Sequence, residues 1–156
     1  MFNMTKKILK IVVCIFMLFG IVNSINGENY ETCITKLKEW EGFTAVPKNG
    51  CIGYGHFIKK NESYSYISKD SADRLLKLDF NRHMKFIKSN TNLQSNKLYA
   101  VSLLAYNIGV GRVLNHIKRG LLDNYQESLR YCYYRNKYIH KLYERRVWEY
   151  ELYRKY

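Results

Sequence analysis

The sequence predicts an α+β domain, mainly helical, in which a small β-hairpin lobe and a helical lobe flank a cleft. Three observations carry this. An apolar-periodic segment ends at Glu41-Gly42, a glycine- and turn-rich stretch follows over residues 43–58, and helical patterning resumes at Ile67 and continues toward Tyr156. No internal repeat or low-complexity linker interrupts the chain, and 156 residues is the size of one ordinary domain.

Part of that length reads as a targeting segment. Lys6, Lys7 and Lys10 precede an apolar run from Ile11 to Val22, broken only by Gly20 and followed by Asn23 and Ser24. The run is too short for a comfortable membrane span and has the charged start and small-residue end of a secretory signal. Residues 1–24 are therefore expected to be a signal peptide, cut after Ser24 or Gly27, with a retained export-type anchor as the alternative. The mature domain then begins near residue 28 and runs to 156. Removing residues 1–24 takes three lysines and no acid from a formal net charge of +13, leaving +10. So basic a protein suits polyanionic partners, whether nucleic acid, anionic membrane or a bacterial wall. Export argues against nucleic acid and leaves the wall, with membrane contact confined to an uncleaved N-terminal segment.

Beyond Cys14, three cysteines remain: Cys33, Cys51 and Cys132. Their number is odd and their spacing is neither that of a zinc site nor that of a disulfide scaffold, although one bridge is compatible with it. His83, His116 and His140 have no metal-like spacing and are expected to be solvated. No metal or cofactor is implied.

The first helix is expected over Thr32 to Trp40, capped by Thr32 or Thr35, with Ile34 and Leu37 on its apolar face and Gly42 as its stop. Asn49-Gly50 between Ala45-Val46 and Cys51-Ile52 signals a hairpin, because both residues accept the positive φ of a tight turn. Ser68 caps a helix that offers Leu75, Leu76, Leu78 and Phe80 as apolar positions. The segment Leu98 to Ile108 is nearly all apolar, which marks the central buried helix, ending at Gly109 or Gly111. From Tyr125 onward Tyr and Arg recur at helical spacing, read as helix faces around the core in preference to a nucleic-acid stacking surface. Gly53 and Gly55 flank Tyr54, but no Gly-Lys-Ser/Thr or third glycine follows as a phosphate loop requires.

Glu41-Gly42-Phe43, then Cys51-Ile52-Gly53-Tyr54-Gly55-His56, resembles the phage-type lysozymes, the endolysins of glycoside hydrolase family 24. Their signature is Glu-Gly, a short hairpin and Thr-Ile-Gly-Tyr-Gly-His. Segments beginning at Ile67 and Leu93 and the closing Arg145-Arg146-x-x-Glu149 follow in the family's order, so the likeness covers residues 35 to about 153. A glycine usual before that ending is missing.

The resemblance implies a lysozyme-like fold and a secreted, monomeric muramidase. Its partner is bacterial peptidoglycan, in which it cleaves the β-1,4 bond between N-acetylmuramic acid and N-acetylglucosamine and so lyses the cell. Glu41 matches the family's acid, which must protonate a poor leaving oxygen. Tyr106 and Asn107 match family positions on the opposite wall of the cleft, with Asn107 expected to meet a sugar amide or hydroxyl, and Phe57 is expected to form cleft wall, so all three are substrate-binding candidates. His56 matches a structural histidine paired to an Asp of the next helix, here Asp79.

The chain departs from the family in its hairpin. Residues 42–50 contain no carboxylate, and Cys51 stands where the family has the Thr that, with an Asp, holds the attacking water. Four readings stay open. Cys51 could serve as base or nucleophile, its thiolate favoured by Lys48. Glu41 could act alone on a water held by Cys51, Asn49 or backbone groups. The muramic 6-hydroxyl could attack, making a lytic transglycosylase. Or the domain could bind glycan without cleaving it. A disulfide from Cys51 to Cys33 or Cys132 would remove the thiol from chemistry.

Overall fold

The computed structural model describes residues 29–155 of the chain, so the targeting segment lies outside the described residues. The chain divides into two compact units, 1–32 and 33–156. Of the first unit, residues 29–32 are described and are helical. Helix α1 occupies 33–41 of the second. Thr32 and Thr35 thus lie within helical backbone and neither caps a start, correcting the expected boundary.

Gly42 stops α1 as its composition requires, with φ +67° and its amide donating to the Lys38 carbonyl. The β lobe follows: β1 (Thr44–Lys48), β2 (Cys51–Gly53) and β3 (His56–Phe57) form an antiparallel sheet in that order. Asn49 and Gly50 have φ of 52° and 77°, so the predicted turn forms with both central residues left-handed. It pairs Lys48 with Cys51, and a bulge between Thr44 and Lys48 bends the first strand. The third strand was not legible, because two residues offer no periodicity.

Helix α2 (Lys69–Asn90) is capped by the Ser68 hydroxyl, which accepts the Ser71 amide. Its inner face carries Ala72, Leu76, Phe80 and Ile87, whereas Leu78 points outward and is 60% exposed. That corrects one expected core position: Leu76 and Leu78 are two residues apart, and 200° of helical rotation puts them on opposite faces. Helix α3 (Ser95–Ile108) is the central helix, with Val101, Leu103, Leu104 and Ala105 fully buried, and it ends at Gly109 with φ 90°. It packs on both α2 and the last helix. Helix α4 (Val110–Ile117) follows directly and contributes Val113 to the core.

The tail is only partly helical. After a 3-10 turn at Tyr125–Arg130 comes a second hairpin, β4 (Tyr133–Tyr134) and β5 (Lys137–Tyr138), before α5 (His140–Arg154). Its turn residues Arg135 and Asn136 both take positive φ, a conformation that the tyrosine pattern does not announce. Tyr125 stacks on Tyr153 at 4.1 Å and is buried, as a core reading of the tail tyrosines requires, but Tyr133, Tyr134 and Tyr138 face solvent.

One polar clamp joins the β lobe to α2. Buried His56 is within 2.5 Å of Asp79 through Nδ1 and 2.9 Å of Glu62 through Nε2. The Lys59 amide and then His56 hold the Glu62 carboxyl down from the usual 4.5 to about 2. A depressed carboxylate contributes stability above its unfolded value and loses that contribution as pH falls toward the folded one. The β lobe is therefore expected to loosen between about pH 4.5 and 2. Amide exchange at Ile52 and His56 should rise across that window, and Glu62→Gln should flatten the rise; an unchanged profile in the variant would show that Glu62 does not govern it.

Candidate active site

Glu41 is the last residue of α1, so its side chain leaves the helix where the backbone turns into the β lobe. Its position is set from α5. Arg145 NH1 donates to Glu41 Oε1 at 2.7 Å across 104 residues of sequence. The same guanidinium donates through Nε to Glu149 Oε1 at 3.0 Å and through NH2 to the Leu103 carbonyl at 3.2 Å, and it lies 4.6 Å over the Trp40 ring. Trp40 in turn meets Trp148 edge to face. Arg145 has little conformational freedom left, and its planar fork suits this divided role better than an ammonium would.

Glu149 is the anchor of the arrangement and is wholly buried. Burial pushes its carboxyl upward while Arg146 and Arg145 pull it back. Arg146 NH2 also donates to Glu149 Oε1, at 2.8 Å, and burial lowers the Arg146 guanidinium in turn. Glu149 Oε2 and two Arg146 nitrogens find no partner among the described residues. Such a cluster is costly to assemble and costlier to break from one side.

The other oxygen of Glu41 faces the β2–β3 turn. A Cβ placed on Gly55 would lie 3.4 Å from Glu41 Oε2, and Gly55 has φ +83°. Glycine here serves both a left-handed backbone and the open space beside the carboxyl. Oε1 is thus committed to Arg145, and Oε2 has no hydrogen-bond partner among the described residues.

Glu41 and Asn107 line one pocket of about 360 Å³, together with Glu39 and Trp40 from α1 and with Lys141, Leu142, Glu144 and Arg145 from the start of α5; no β-lobe residue lines it, so this pocket is not the cleft expected between the lobes. Asn107 is exposed at the end of α3, free to meet a ligand. Phe57 does not line this pocket; it stands on β3, 68% exposed, against Gly50. Tyr106 donates its hydroxyl to the Tyr54 carbonyl at 2.9 Å, so it ties α3 to the β lobe. Burial first, then the charges of Asp79 and Glu41, push that hydroxyl upward, with a smaller contribution from Cys51.

Cys51 is half-buried and unpaired, as are buried Cys33 and Cys132. Its cross-strand neighbours are Lys48 and Phe57. His83 departs from the solvated expectation: it is partly buried, its Nδ1 is 2.7 Å from the Asp79 carbonyl and its ring packs on Tyr106. His116 is also partly buried, against Tyr131, whereas His140 is exposed and near Glu144. Among the described residues no group of three His, Cys, Asp or Glu side chains could hold a metal ion.

Sequence reasoning gave Arg145 and Glu149 no part in the site. The signal was present, because the Arg-Arg-x-x-Glu spacing puts Arg145 and Glu149 on one helical face four residues apart. What it could not show is that this face meets Glu41.

A mixed helical domain with a small β lobe, and a helix-end glutamate held at a pocket lined by α1, α3 and α5, is the arrangement on which the comparisons bear. Residues 38–149 match the Phage lysozyme family, and the chain belongs to that family, whose members are peptidoglycan-cleaving muramidases. Among solved structures it is similar to the muramidase domain of SpmX from Asticaccaulis excentricus, with 20% identity, TM-score 0.64, and coverage of 80% of this chain and 96% of that one. It is also similar to the endolysin of Escherichia coli O157:H7 phage FAHEc1, with 17% identity, TM-score 0.59, and coverage of 79% and 90%. No curated protein matches the sequence.

Two outcomes follow from the geometry. Glu149→Gln leaves buried Arg146 without its anion and Arg145 with Glu41 alone, and should destabilise the fold by roughly 3–5 kcal/mol, read as a lowered denaturation midpoint. A change under about 1 kcal/mol would mean that water reaches the cluster. In native protein an alkylating reagent should modify Cys51 ahead of Cys33, whose burial pushes its thiol up to about 12. Mass mapping of the labelled peptides decides it, and equal labelling of the two would contradict the burial.

Proposed function

We propose that this lysozyme is secreted and hydrolyses the β-1,4 bond between N-acetylmuramic acid and N-acetylglucosamine in bacterial peptidoglycan, with Glu41 as its acid, lysing the cell. The observation that carries the assignment is the divided Glu41 carboxyl. Oε1 accepts from Arg145, which leaves Oε2, packed against Gly55, as the oxygen free to meet a substrate. An acid must reach the leaving oxygen from a fixed position, and the tethered guanidinium supplies that fixity.

Proton transfer from Oε2 to the glycosidic oxygen breaks the bond and leaves oxocarbenium character on the muramic sugar. A water then attacks the anomeric carbon and releases its proton to solvent, from which the Glu41 carboxylate is reprotonated. In the absence of a carboxylate between residues 42 and 50, that water is held by Cys51, Asn49 or backbone groups of the hairpin. Asn107, across the pocket from Glu41, is suited to a sugar amide or hydroxyl, and Tyr106 acts by joining α3 to the β lobe. The +10 charge of the exported portion favours adsorption to the anionic wall.

Digestion of purified peptidoglycan by the protein beside its Glu41→Gln variant tests this, with products resolved by mass. Reducing muramic ends should be made by the parent and should fall at least 100-fold in the variant. Undiminished lysis would remove Glu41 from the reaction. Anhydro-muramic ends would replace water with the 6-hydroxyl as nucleophile, and no new ends despite sedimentation with the wall would mean a glycan binder.

A further inference from the structure

The tail hairpin is the most conspicuous exposed aromatic surface of the chain. Tyr133 and Tyr134 are each 61% exposed, Tyr138 49% and Tyr143 38%. The rings are organised: Tyr133 meets Tyr138 across the strands at 5.7 Å, Tyr138 meets Tyr143 at 6.1 Å, and the Arg135 guanidinium lies 5.3 Å over Tyr134. Burial of these rings would be favourable, yet the fold leaves them in water; contiguous patches of that kind mark surfaces that meet something. The enzyme core makes no use of them.

Charge narrows the partner. From Ser128 to Tyr143 the chain carries Arg130, Arg135, Lys137 and Lys141 and no acid. Arg130 is occupied by Glu127, but Arg135, Lys137 and Lys141 have no ion-pair partner among the described residues. Tyrosines are rigid, amphipathic contact groups that lose little entropy on binding, and together with cations they suit a ligand with flat apolar faces and anionic branches. A glycan strand bearing carboxylates has both.

Position narrows it further. The hairpin feeds directly into α5, and Lys141 and Leu142, in the first turn of that helix, line the pocket that holds Glu41. Tyr143, in the same turn, carries the tyrosine array to the helix. A polymer seated in the pocket and continuing past Lys141 would run onto the hairpin.

We propose that β4–β5 is a second peptidoglycan-binding surface: the rings of Tyr133, Tyr134 and Tyr138 stack on sugar faces of the strand, and Arg135, Lys137 and Lys141 pair with carboxylates of its lactyl and peptide branches. It rests on the reading of peptidoglycan as substrate and extends that reading outside the cleavage pocket. The hairpin keeps the enzyme on an insoluble wall between cleavage events.

The test separates binding from cleavage by working in a Glu41→Gln background. Sedimentation with insoluble purified peptidoglycan is titrated for that protein and for its Tyr133→Ala/Tyr134→Ala/Tyr138→Ala, Tyr133→Phe/Tyr134→Phe/Tyr138→Phe and Arg135→Gln/Lys137→Gln derivatives, with near-ultraviolet circular dichroism to check folding. The alanine derivative should bind about ten-fold more weakly or worse. The phenylalanine derivative, which keeps the rings, should stay within about two-fold of the parent, and the charge derivative should lose about three-fold and show a shallower salt dependence than the parent. Unchanged binding by folded alanine derivative overturns the proposal. So does loss of binding to anionic lipid vesicles without loss on peptidoglycan, which would assign the hairpin to a membrane. Failure of Glu41→Gln to stop cleavage would overturn the acid assignment and leave this titration intact.

Discussion

The guanidinium of Arg145 is the constraint on which the site depends. It is buried, it cannot shed its charge, and it must therefore be surrounded by acceptors. The fold supplies three from three different elements: Glu41 at the end of α1, the Leu103 carbonyl on α3 and Glu149 on α5 itself. Satisfying one buried cation thus fixes the distance from the glutamate to the core helices. Glu149 Oε2 and two Arg146 nitrogens have no partner among the described residues, so the cluster is weak evidence for stability by itself, while removing one partner from it is costly.

The β lobe is held to this frame by polar ties. Tyr106 donates from α3 to the Tyr54 carbonyl, and His56 bridges β3 to Asp79 of α2 and to Glu62 of the following loop. Both ties flank Gly55, whose missing side chain leaves room next to Glu41 Oε2. The family's glycine-tyrosine-glycine-histidine run therefore reads as two structural residues set between two backbone permissions. Tyr54 is buried for its ring and used for its carbonyl, and His56 is buried for its two nitrogens.

The shortened hairpin leaves the nucleophile side to small groups. The free Cys51 thiol, paired in register with Lys48 and Phe57, is the polar side chain of the lobe closest in sequence to the family's water-holding Thr. Because no disulfide consumes it, the thiol remains available to a water or to a sugar hydroxyl. Glu41 is thus held by a buried network, whereas no network of that kind reaches Cys51.

Much of this was written in local sequence. Gly42 ends a helix, Asn49-Gly50 turns a hairpin, Ser68 caps α2 and the apolar run at Leu98 to Ile108 is the buried helix, because each depends on the φ preference, hydrogen-bonding reach or hydrophobicity of a few adjacent residues. The position of Glu41 at a helix end and the His56 to Asp79 pair were legible through ordered motifs. The tail hairpin was not, since Arg135 and Asn136 adopt positive φ without glycine and their tyrosine neighbours fit helical spacing equally well. Nor was the outward face of Leu78, which one helical rotation decides. The role of Arg145 belonged wholly to the tertiary structure: a spacing of four shows that it can meet Glu149, but its contact with Glu41 closes a loop of 104 residues, and only the packing of α5 on α3 brings those two charges within hydrogen-bond reach.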